Sequence, residues 1–446
     1  MKQINILAVI ALVSVLGLVA CDSWGVTMSV MPTPVSIIPT TTFQPTPTQT
    51  PIAILLPTRT LTSPPTEVLT AIPTATPCPT PIPGGPVGQI IFSAVPCTEA
   101  GIDCEVHESS VADIYLINSD GTGLRQLIEG GGLISGLSLS PDGRKLAFID
   151  SREDLQHSPF RSHVYVWDIS MGAIQPLMAD LPDEETEQVP QWFPDSNRLA
   201  YVSGLVDNRG TTLGDSPTNL YTVRVDGTGR TKVTERPPKS YIQSMVISPD
   251  GSQIAFVGRE WNSGLLEKVA AYCVNADGSN LRKLMVFPPP AYFAELFWSP
   301  DGTKVFAFDP TEEYPAILYV LQPDRVPVGQ SDFLQIPGRF TEWRWASDSE
   351  IEIAACERGV GTSVWTVNVN DLGLRKQMSI PREQCIGMRT GGWSPDGTYV
   401  AFSEHVGPPE LFGLYVLDVN TGCIRQILGG YYVLDLLWLP ADATIP

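Results

Sequence analysis

The side chains best suited to bind a ligand recur at one place relative to a repeated turn sequence. Five and six residues before the proline of this turn stand three acids, two carboxamides and one arginine: Glu295, Glu342 and Asp435, then Gln188, Gln243 and Arg389. Such groups on neighbouring strands could hold a cation, the hydroxyls of a sugar or the basic end of a peptide. The alternative is that the acids are solvated carboxylates at strand ends.

Other candidate groups lack the spacing of a known catalytic or metal motif. Four histidines lie in or beside long insertions, with three acidic residues near them in sequence: His107, His157, His163 and His405, with Glu108, Asp154 and Glu404. A zinc site typically has ligands at closer spacing, so we interpret the histidines as exposed loop residues and expect no metal or cofactor. The chain contains neither a Gly-x-Ser-x-Gly nor a His-Glu-x-x-His sequence.

The repeated turn predicts the architecture that positions the candidate residues. Four copies read Ser-Pro-Asp-Gly and three are degenerate: Ser140–Gly143, Ser248–Gly251, Ser299–Gly302 and Ser394–Gly397, then Phe193–Ser196, Ala346–Ser349 and Leu439–Asp442. From one proline position to the next, the spacings are 53, 55, 51, 47, 48 and 45 residues. A period of this length indicates stacked supersecondary units.

Each unit contains four short apolar runs separated by tight turns. Lys145–Ile149 and His163–Trp167 are two such runs, and Ser119-Asp120-Gly121 is a typical hairpin turn. The run before the turn usually ends in tryptophan, which we expect to pack between units: Trp192, Trp298, Trp345, Trp393 and Trp438. Four-stranded antiparallel sheets of this length are typical of β-propeller blades.

The two ends of the repeat region predict a closed ring. The first unit begins at Gly88–Phe92 without the strand that precedes the others, and Leu434–Leu439 supplies such a strand at the end. Pairing the two in one blade would remove a free sheet edge. The predicted fold is therefore all-β, a seven-bladed propeller over residues 88–442. Six or eight blades remain open because the unit around Glu350 is degenerate.

The repeat resembles that of the TolB-like, WD-repeat-like β-propellers. The resemblance is carried by Trp-Ser-Pro-Asp-Gly-x-x-(Ile/Val)-Ala-Phe, followed by Ile-Tyr-Val-x-x-x-Asp-Gly, and covers residues 88–442. It implies the fold and says little about activity. Relatives include periplasmic partner-binding propellers, propeller domains of serine peptidases and a few sugar lyases. TolB itself is similar to a six-bladed ring with an additional domain, whereas seven blades are expected here.

The first 87 residues predict export and a membrane anchor. Lys2, an apolar stretch and Leu18-Val19-Ala20-Cys21 resemble a bacterial lipoprotein signal, with residues 1–20 removed and Cys21 lipidated. An uncleaved membrane anchor is the alternative, although the stretch is short for a span. Residues 21–87 are rich in proline and threonine, with fifteen prolines from Pro32 to Pro86, and predict a disordered stalk. Either anchor would place the propeller outside the cytoplasm.

Charge and cysteine content limit the partners. The net charge of −20 argues against binding to nucleic acid, which requires basic residues to neutralise phosphate. Export permits disulfides, and strand positions favour two pairs, Cys97 with Cys104 and Cys356 with Cys385. Cys273 is expected to remain as a buried free thiol.

Long insertions after the second strand of several units predict a binding face. They span 95–112, 150–162, 204–218 and 258–268, and strand alternation places all four on one face. We therefore expect an anchored, non-catalytic scaffold that binds a protein, peptide or glycan at the cell envelope. A propeller enzyme acting on polysaccharide, as a lyase or hydrolase, and a structural envelope protein are the alternatives.

Replacing Cys21 with serine tests the predicted lipid anchor, because the thiol that would carry the lipid is removed. We expect the Cys21→Ser chain to lose incorporation of labelled fatty acid in its bacterial host and to leave the membrane fraction. Cys78→Ser, in the predicted stalk, should keep both the label and the membrane location. Unchanged labelling of Cys21→Ser would show that no lipid is attached there.

Overall fold

A computed structural model of the chain consists of strands arranged in seven sheets. It describes residues 88–97, 110–151, 162–179, 185–205, 216–262, 265–288, 291, 294–309, 316–324, 332–357, 360–381, 391–404, 411–440 and 445. Each sheet has four antiparallel strands, and the seven sheets form a ring of blades. The predicted seven-bladed propeller is confirmed, and the degenerate unit around Glu350 is a regular blade.

The strands follow one another along the chain with the same order in every blade. They are β1 (Gln89–Pro96), β2 (Asp113–Asn118), β3 (Arg125–Ile128), β4 (Ile134–Leu139), β5 (Lys145–Asp150), β6 (His163–Asp168), β7 (Ala173–Pro176), β8 (Glu185–Trp192), β9 (Arg198–Leu205), β10 (Asn219–Arg224), β11 (Thr231–Lys232), β12 (Ser240–Ile247), β13 (Gln253–Asn262), β14 (Leu265–Asn275), β15 (Arg282–Val286), β16 (Glu295–Trp298), β17 (Val305–Asp309), β18 (Ala316–Leu321), β19 (Asp332–Ile336), β20 (Arg339–Ser347), β21 (Glu350–Glu357), β22 (Gly361–Asn368), β23 (Leu374–Pro381), β24 (Gly391–Trp393), β25 (Tyr399–Glu404), β26 (Gly413–Asp418), β27 (Cys423–Gly429) and β28 (Tyr431–Trp438).

Blade 1 joins the two ends of the propeller, and the other blades are consecutive groups of four. Blade 1 has the order β28-β1-β2-β3, and blades 2 to 7 begin at β4, β8, β12, β16, β20 and β24. The first strands of neighbouring blades contact one another, as β28 contacts β4 and β12 contacts β16. These first strands are therefore innermost and line the central channel.

The Ser-Pro-Asp-Gly turn is held by a repeated set of hydrogen bonds. Ser140 Oγ donates to Asp142 Oδ1 at 2.6 Å and accepts from the backbone N–H of Lys145 at 2.9 Å. Gly143 adopts a φ of 69°, which glycine reaches without a steric penalty. The same serine-to-aspartate bond, also at 2.6 Å, recurs at Ser248, Ser299 and Ser394. The repeated sequence is thus explained by the geometry of the turn between the first two strands.

Four of the recurrent tryptophans connect their blade to the one before it. The indole Nε1 donates to a backbone carbonyl of the preceding blade in four cases: Trp192 to Ser138 at 2.9 Å, Trp298 to Val246 at 3.2 Å, Trp345 to Trp298 at 3.0 Å and Trp438 to Gly392 at 2.8 Å. The prediction that these residues pack between blades is confirmed. Trp393 differs, because its buried Nε1 has no acceptor in the described part of the chain.

The core lies between neighbouring blades and uses repeated aromatic pairs. In five blades the second strand places an aromatic ring opposite an aromatic ring of the third strand, stacked at 5.2 to 5.9 Å: Phe92 with Tyr115, Phe148 with Tyr165, Tyr201 with Tyr221, Phe256 with Tyr272 and Phe402 with Tyr415. Such cross-strand pairs stabilise a sheet beyond the area they bury.

The ends of the chain close the ring as the sequence predicts. Strand β1 pairs with β28 from Ile90 opposite Trp438 to Pro96 opposite Tyr431. Beyond the last strand, Ile445 returns to the apolar core that blades 1 and 2 share. Its backbone carbonyl accepts a hydrogen bond from Arg125 Nη2 at 2.6 Å. Contacts of the C-terminal end therefore reinforce the composite blade.

The interblade hydrogen bond can be measured by comparing two tryptophans. Trp438→Phe removes a donor bonded across the blade interface, whereas Trp393→Phe removes a similar volume but no hydrogen bond. We expect Trp438→Phe to lower the free energy of unfolding by about 1 kcal/mol more than Trp393→Phe, since a net hydrogen bond contributes about that much. Urea unfolding followed by circular dichroism provides the comparison. Equal losses would show that the bond adds nothing to packing.

Candidate functional site

The three predicted acids all lie on innermost strands. Glu295 is the first residue of β16 in blade 5, Glu342 is the fourth of nine in β20 of blade 6, and Asp435 is the fifth of eight in β28 of blade 1. Each keeps an intermediate exposure to solvent. In blades 1 and 6 these acids lie within their strands, whereas Glu295 begins its strand. That the three form the channel mouth stays a prediction.

β-Bulges in the innermost strands occur beside this column of residues. The pairing register shifts between Phe340 and Glu342 in β20, between Ile242 and Ser244 in β12, and opposite the step from Ser93 to Ala94 in β28. A bulge adds an unpaired residue and re-aims the side chains beside it. The bulges were not predicted from the sequence. Gly136, which lies in the same column and adopts a φ of 64°, is the residue that could have indicated one of them.

Burial raises the pKa values of the channel carboxyl groups, and negative charge nearby adds to the rise at one of them, Glu342. Burial raises the pKa of Glu295 to about 7. Burial, followed by the negative charges of Glu295 and Asp435, raises the pKa of Glu342 well above its ordinary value. The three side chains are partly exposed, but the surrounding strands still remove much of their hydration, and that loss raises the pKa of a carboxyl group. The three acids therefore share one electrostatic environment.

Asp435 has a structural role that the other two acids lack. Its Oδ2 accepts from the backbone N–H of Leu137 in blade 2 at 2.8 Å, and its Oδ1 accepts from the N–H of Leu436 at 2.8 Å. Burial raises the pKa of Asp435 to about 6, and these backbone hydrogen bonds oppose the rise. Within the described residues no hydrogen bond reaches the carboxylates of Glu295 and Glu342, which leaves both free to contact a ligand.

The residues six positions before the turn proline, Gln188, Gln243 and Arg389, differ in their surroundings. Gln243 is the extra residue of the bulge in β12, and its amide oxygen and nitrogen are both enclosed without a partner in the part of the chain that the structure describes. The neighbouring Ser244 donates to the carbonyl of Ala294 in blade 5 at 3.1 Å. Gln188 is half-buried in β8. Arg389 lies outside the described residues.

Of the four insertions predicted after the second strands, one proves to be an extension of two strands. The stretch 258–268 is largely an extension of strands β13 and β14, ten and eleven residues long, and not a loop. Most of the other three insertions falls outside the described residues. His163 begins β6 opposite Asp150 in β5, and the remaining histidines also fall outside. In the part that the structure describes, no group of three or more His, Cys, Asp or Glu side chains is arranged to hold a metal ion.

The cysteines are partly as expected. Cys97 and Cys356 each form a disulfide, and Cys423 does so as well, although the sequence analysis did not single it out. Cys104 and Cys385, the predicted partners, lie outside the described residues, so those two pairings stay predictions. Cys273 is a buried free thiol, and its Sγ donates to Gln253 Oε1 at 3.1 Å. Burial raises the pKa of this thiol to about 11, which makes it unreactive at neutral pH.

Comparison with known proteins supports the fold. No family model and no curated protein matches the sequence. Among solved structures, TolB from Acinetobacter baumannii is 14% identical over 80% of this chain and 68% of its own, with a TM-score of 0.43. A prolyl endopeptidase is 13% identical over 77% of this chain and 50% of its own, and puromycin hydrolase 14% over 78% and 54%, both with a TM-score of 0.50.

These similarities reach the level of the fold and no further. This chain spans about half the length of the endopeptidase and of the hydrolase, and the identities are too low to carry activity across. The resemblance predicted from the repeat is therefore confirmed for the propeller architecture. The part of the chain that the structure describes includes no helix long and apolar enough to cross a membrane.

The raised pKa of Glu295 predicts a pH-dependent stability. The native state binds this proton more tightly than the unfolded chain, so the stabilising contribution is complete below pH 4.5 and is lost as the pH rises to about 7. Glu295→Gln removes this loss. We expect the variant to gain on the order of 2 kcal/mol over the wild type between pH 5 and pH 8.

Urea unfolding at several pH values measures this gain, and Glu235→Gln is the matched control. Glu235 is an acid whose side chain is 80% exposed. Its replacement should leave the pH profile of stability unchanged. A wild-type profile that runs parallel to that of Glu295→Gln would mean that the Glu295 carboxyl is fully hydrated in the channel.

Proposed function

We propose that this protein is a membrane-anchored, non-catalytic propeller that binds a protein, peptide or glycan at the cell envelope through its channel. The supporting observation is the pair Glu295 and Glu342, on adjacent blades, whose carboxylates accept no hydrogen bond in the described residues. Their raised pKa values mean that ionising both without a partner is costly. A ligand that supplies positive charge or hydrogen-bond donors would reduce that cost.

The channel favours a ligand with a compact cationic end, such as a lysine side chain or a terminal amine. Rigid strands hold the acids in place, so little conformational entropy is lost when a ligand binds. Low-dielectric walls focus the field of the acids along the channel. Asp435 adds negative charge from blade 1 but is already hydrogen-bonded, so it acts mainly through its field.

The cellular location in this proposal rests on the sequence. The signal ending at Cys21 and the proline- and threonine-rich stretch 21–87 would hold the propeller on the outer side of a bacterial membrane, attached through a lipid. At about 3.1 Å per residue, the fifty or so residues between Pro32 and Pro86 alone could reach roughly 150 Å when extended. Partners in the envelope would then be within range.

A second candidate function is catalysis on a polysaccharide, as a lyase or hydrolase. The observation that favours it is the pKa of Glu295, about 7, because a general base works best when its pKa is near the working pH. In the described residues no group of three or more His, Cys, Asp or Glu side chains that could hold a metal ion accompanies this acid. Release of new reducing ends from envelope polysaccharide, lost in Glu295→Gln, would support this candidate over the binding scaffold.

Binding of a tri-lysine peptide to the purified full-length protein tests the scaffold proposal. Calorimetry at pH 8 should give a Kd at least tenfold weaker for the Glu295→Gln, Glu342→Gln double variant, a difference of about 1.4 kcal/mol. Binding to the wild type should also weaken from pH 8 to pH 6, since the carboxyl groups become protonated as the pH falls.

The control for this experiment is Glu235→Gln, which removes one exposed carboxylate away from the channel column. It should bind the peptide as the wild type does. Both variants should remain folded. Glu235→Gln is an exposed polar substitution, which usually changes stability by about 0.5 kcal/mol or less, and the double variant removes carboxylates whose ionisation in the channel opposes folding. Equal affinities of the wild type and the folded double variant would exclude the channel acids as the binding site.

A further inference from the structure

Arg236, between β11 and β12, is an enclosed arginine whose hydrogen-bonding groups are not satisfied. Its side chain is only 4% exposed. The guanidinium lies on the aromatic pair of blade 4, with Cζ 4.6 Å from the ring centroid of Tyr272 and 5.8 Å from that of Phe256. Nε and Nη2, which together form one edge of the guanidinium, have no hydrogen-bond acceptor among the residues that the structure describes. Buried donors without partners are rare in proteins and require an explanation.

Blade 3 contains a similar arrangement in which both groups of the same guanidinium edge have acceptors. Arg230 lies on the aromatic pair of that blade, 4.3 Å from the ring centroid of Tyr221 and 6.0 Å from that of Tyr201. Its Nε donates to the hydroxyl of Tyr201 at 2.7 Å, and its Nη2 donates to Glu185 Oε2 at 2.5 Å. The two atoms that lack acceptors in Arg236 are therefore the two that blade 3 pairs with a hydroxyl and a carboxylate.

Two differences leave Arg236 without these partners. Phe256 stands where blade 3 has Tyr201, and a phenyl ring has no hydroxyl to accept from Nε. The nearby carboxylate of Glu260 is already engaged, because its Oε1 accepts from the Tyr272 hydroxyl at 2.9 Å and its Oε2 from Lys268 Nζ at 2.8 Å. Oε1 is 3.9 Å from Arg236 Nη2, which is too long for a hydrogen bond.

The charges around Glu260 do not balance. Arg236 and Lys268 are two cations that share one carboxylate, although the chain as a whole carries a net charge of −20. Partial burial acts to raise the pKa of Glu260. The hydrogen bonds from Lys268 and Tyr272 outweigh this effect and hold the pKa below its ordinary value. Glu260 is thus fully ionised at neutral pH and still neutralises only one of its two cations.

We infer that Arg236 and Lys268, together with Glu260, form a receptor for a carboxylate group carried by an external ligand. Blade 3 shows which group pairs with such an arginine, since Nη2 of Arg230 donates a hydrogen bond to the carboxylate of Glu185 there. The planar edge of a guanidinium matches a carboxylate in geometry and charge. A second carboxylate at this place would make the number of anions equal the number of cations.

The surroundings of Arg236 are consistent with access from the outer side of Glu260. The Glu260 side chain is 29% exposed and that of Lys268 is 24% exposed, so both border solvent. Gly258 allows the guanidinium to lie against the backbone of β13, because a β-carbon there would be 2.6 Å from Nη2. An incoming carboxylate can pair with Lys268 or Arg236 while Glu260 moves about 1 Å to hydrogen-bond the other. The receptor shares no residue with the channel site.

Titration with acetate, followed by the Nε–Hε resonances of the arginines, tests this inference on the purified full-length protein. The Arg236 resonance is assigned by its loss in Arg236→Lys. We expect this resonance to shift saturably with acetate at constant ionic strength and to be unaffected by chloride. The Arg230 resonance is the internal control and should not move, since its edge is already occupied.

Phe256→Tyr provides the matched variant, because it supplies the hydroxyl that Tyr201 provides in blade 3. The added hydroxyl should occupy Nε and weaken acetate binding about tenfold, while circular dichroism shows that the fold is kept. Arg259→Lys, on the opposite face of β13, should leave the titration unchanged. An Arg236 resonance that does not saturate, or that shifts equally with chloride, would overturn the inference.

Two larger ligands identify the source of the carboxylate. An oligoglutamate peptide and an oligouronate carry the same group on different backbones, and the one that saturates the Arg236 resonance at lower concentration is the better model of the natural ligand. Failure of both ligands, with acetate still binding, would restrict the receptor to small carboxylates.

Discussion

A blade of this propeller has two apolar faces, and only neighbouring blades can cover both. The residues that bury this surface, such as the stacked pair of Phe256 and Tyr272, lie within cores shared by adjacent sheets. Every blade therefore depends on the blade before it and the blade after it, and the dependence ends only when the ring closes. Pairing of β1 with β28 provides that closure, and the indole hydrogen bonds fix the spacing between innermost strands.

The channel follows directly from this closure, and it creates two populations of carboxylates with opposite behaviour. The turn aspartates, such as Asp250, accept hydrogen bonds from Ser248 and from backbone N–H groups, which lower their pKa values. Burial in the channel raises the pKa values of the channel acids, and the charges of Glu295 and Asp435 add to the rise at Glu342. Acidic conditions thus weaken the hydrogen bonds of the turns, because the aspartates become protonated. The same conditions remove the cost of keeping ionised carboxylates in the channel. The channel acids oppose folding at neutral pH, as is common for groups retained at functional sites.

The fold could be predicted from the sequence because the features that fix it are local and repeated. Ser-Pro-Asp-Gly indicates the turn between the first two strands of a blade, and the tryptophan before it indicates the contact between blades. The incomplete first unit indicates that the ring closes by pairing the two ends of the repeat region. The column of Glu295, Glu342 and Asp435 could be found by counting from the turn. The bulges that aim those side chains could not, because a bulge depends on the register between two strands. Whether Arg236 finds hydrogen-bond acceptors likewise depends on three separate segments, namely its own loop and strands β13 and β14. Spacing along the sequence therefore gives no sign that the acceptors are missing.

A repeat protein makes departures from its own pattern informative, since each blade serves as a reference for the others. Trp393 lacks the acceptor that four other tryptophans have, and Arg344 lies 4.9 Å from its ring, so a cation–π contact takes the place of a hydrogen bond. Arg236 also has a cation–π contact, with Tyr272, but Arg230 makes the same kind of contact with Tyr221 and has both acceptors in addition. In the described residues the contact therefore does not replace the acceptors that Arg236 lacks. The first departure is compensated within the fold and is structural. The second leaves a buried charge incompletely paired, which folding alone would select against, and so it points outward to a ligand.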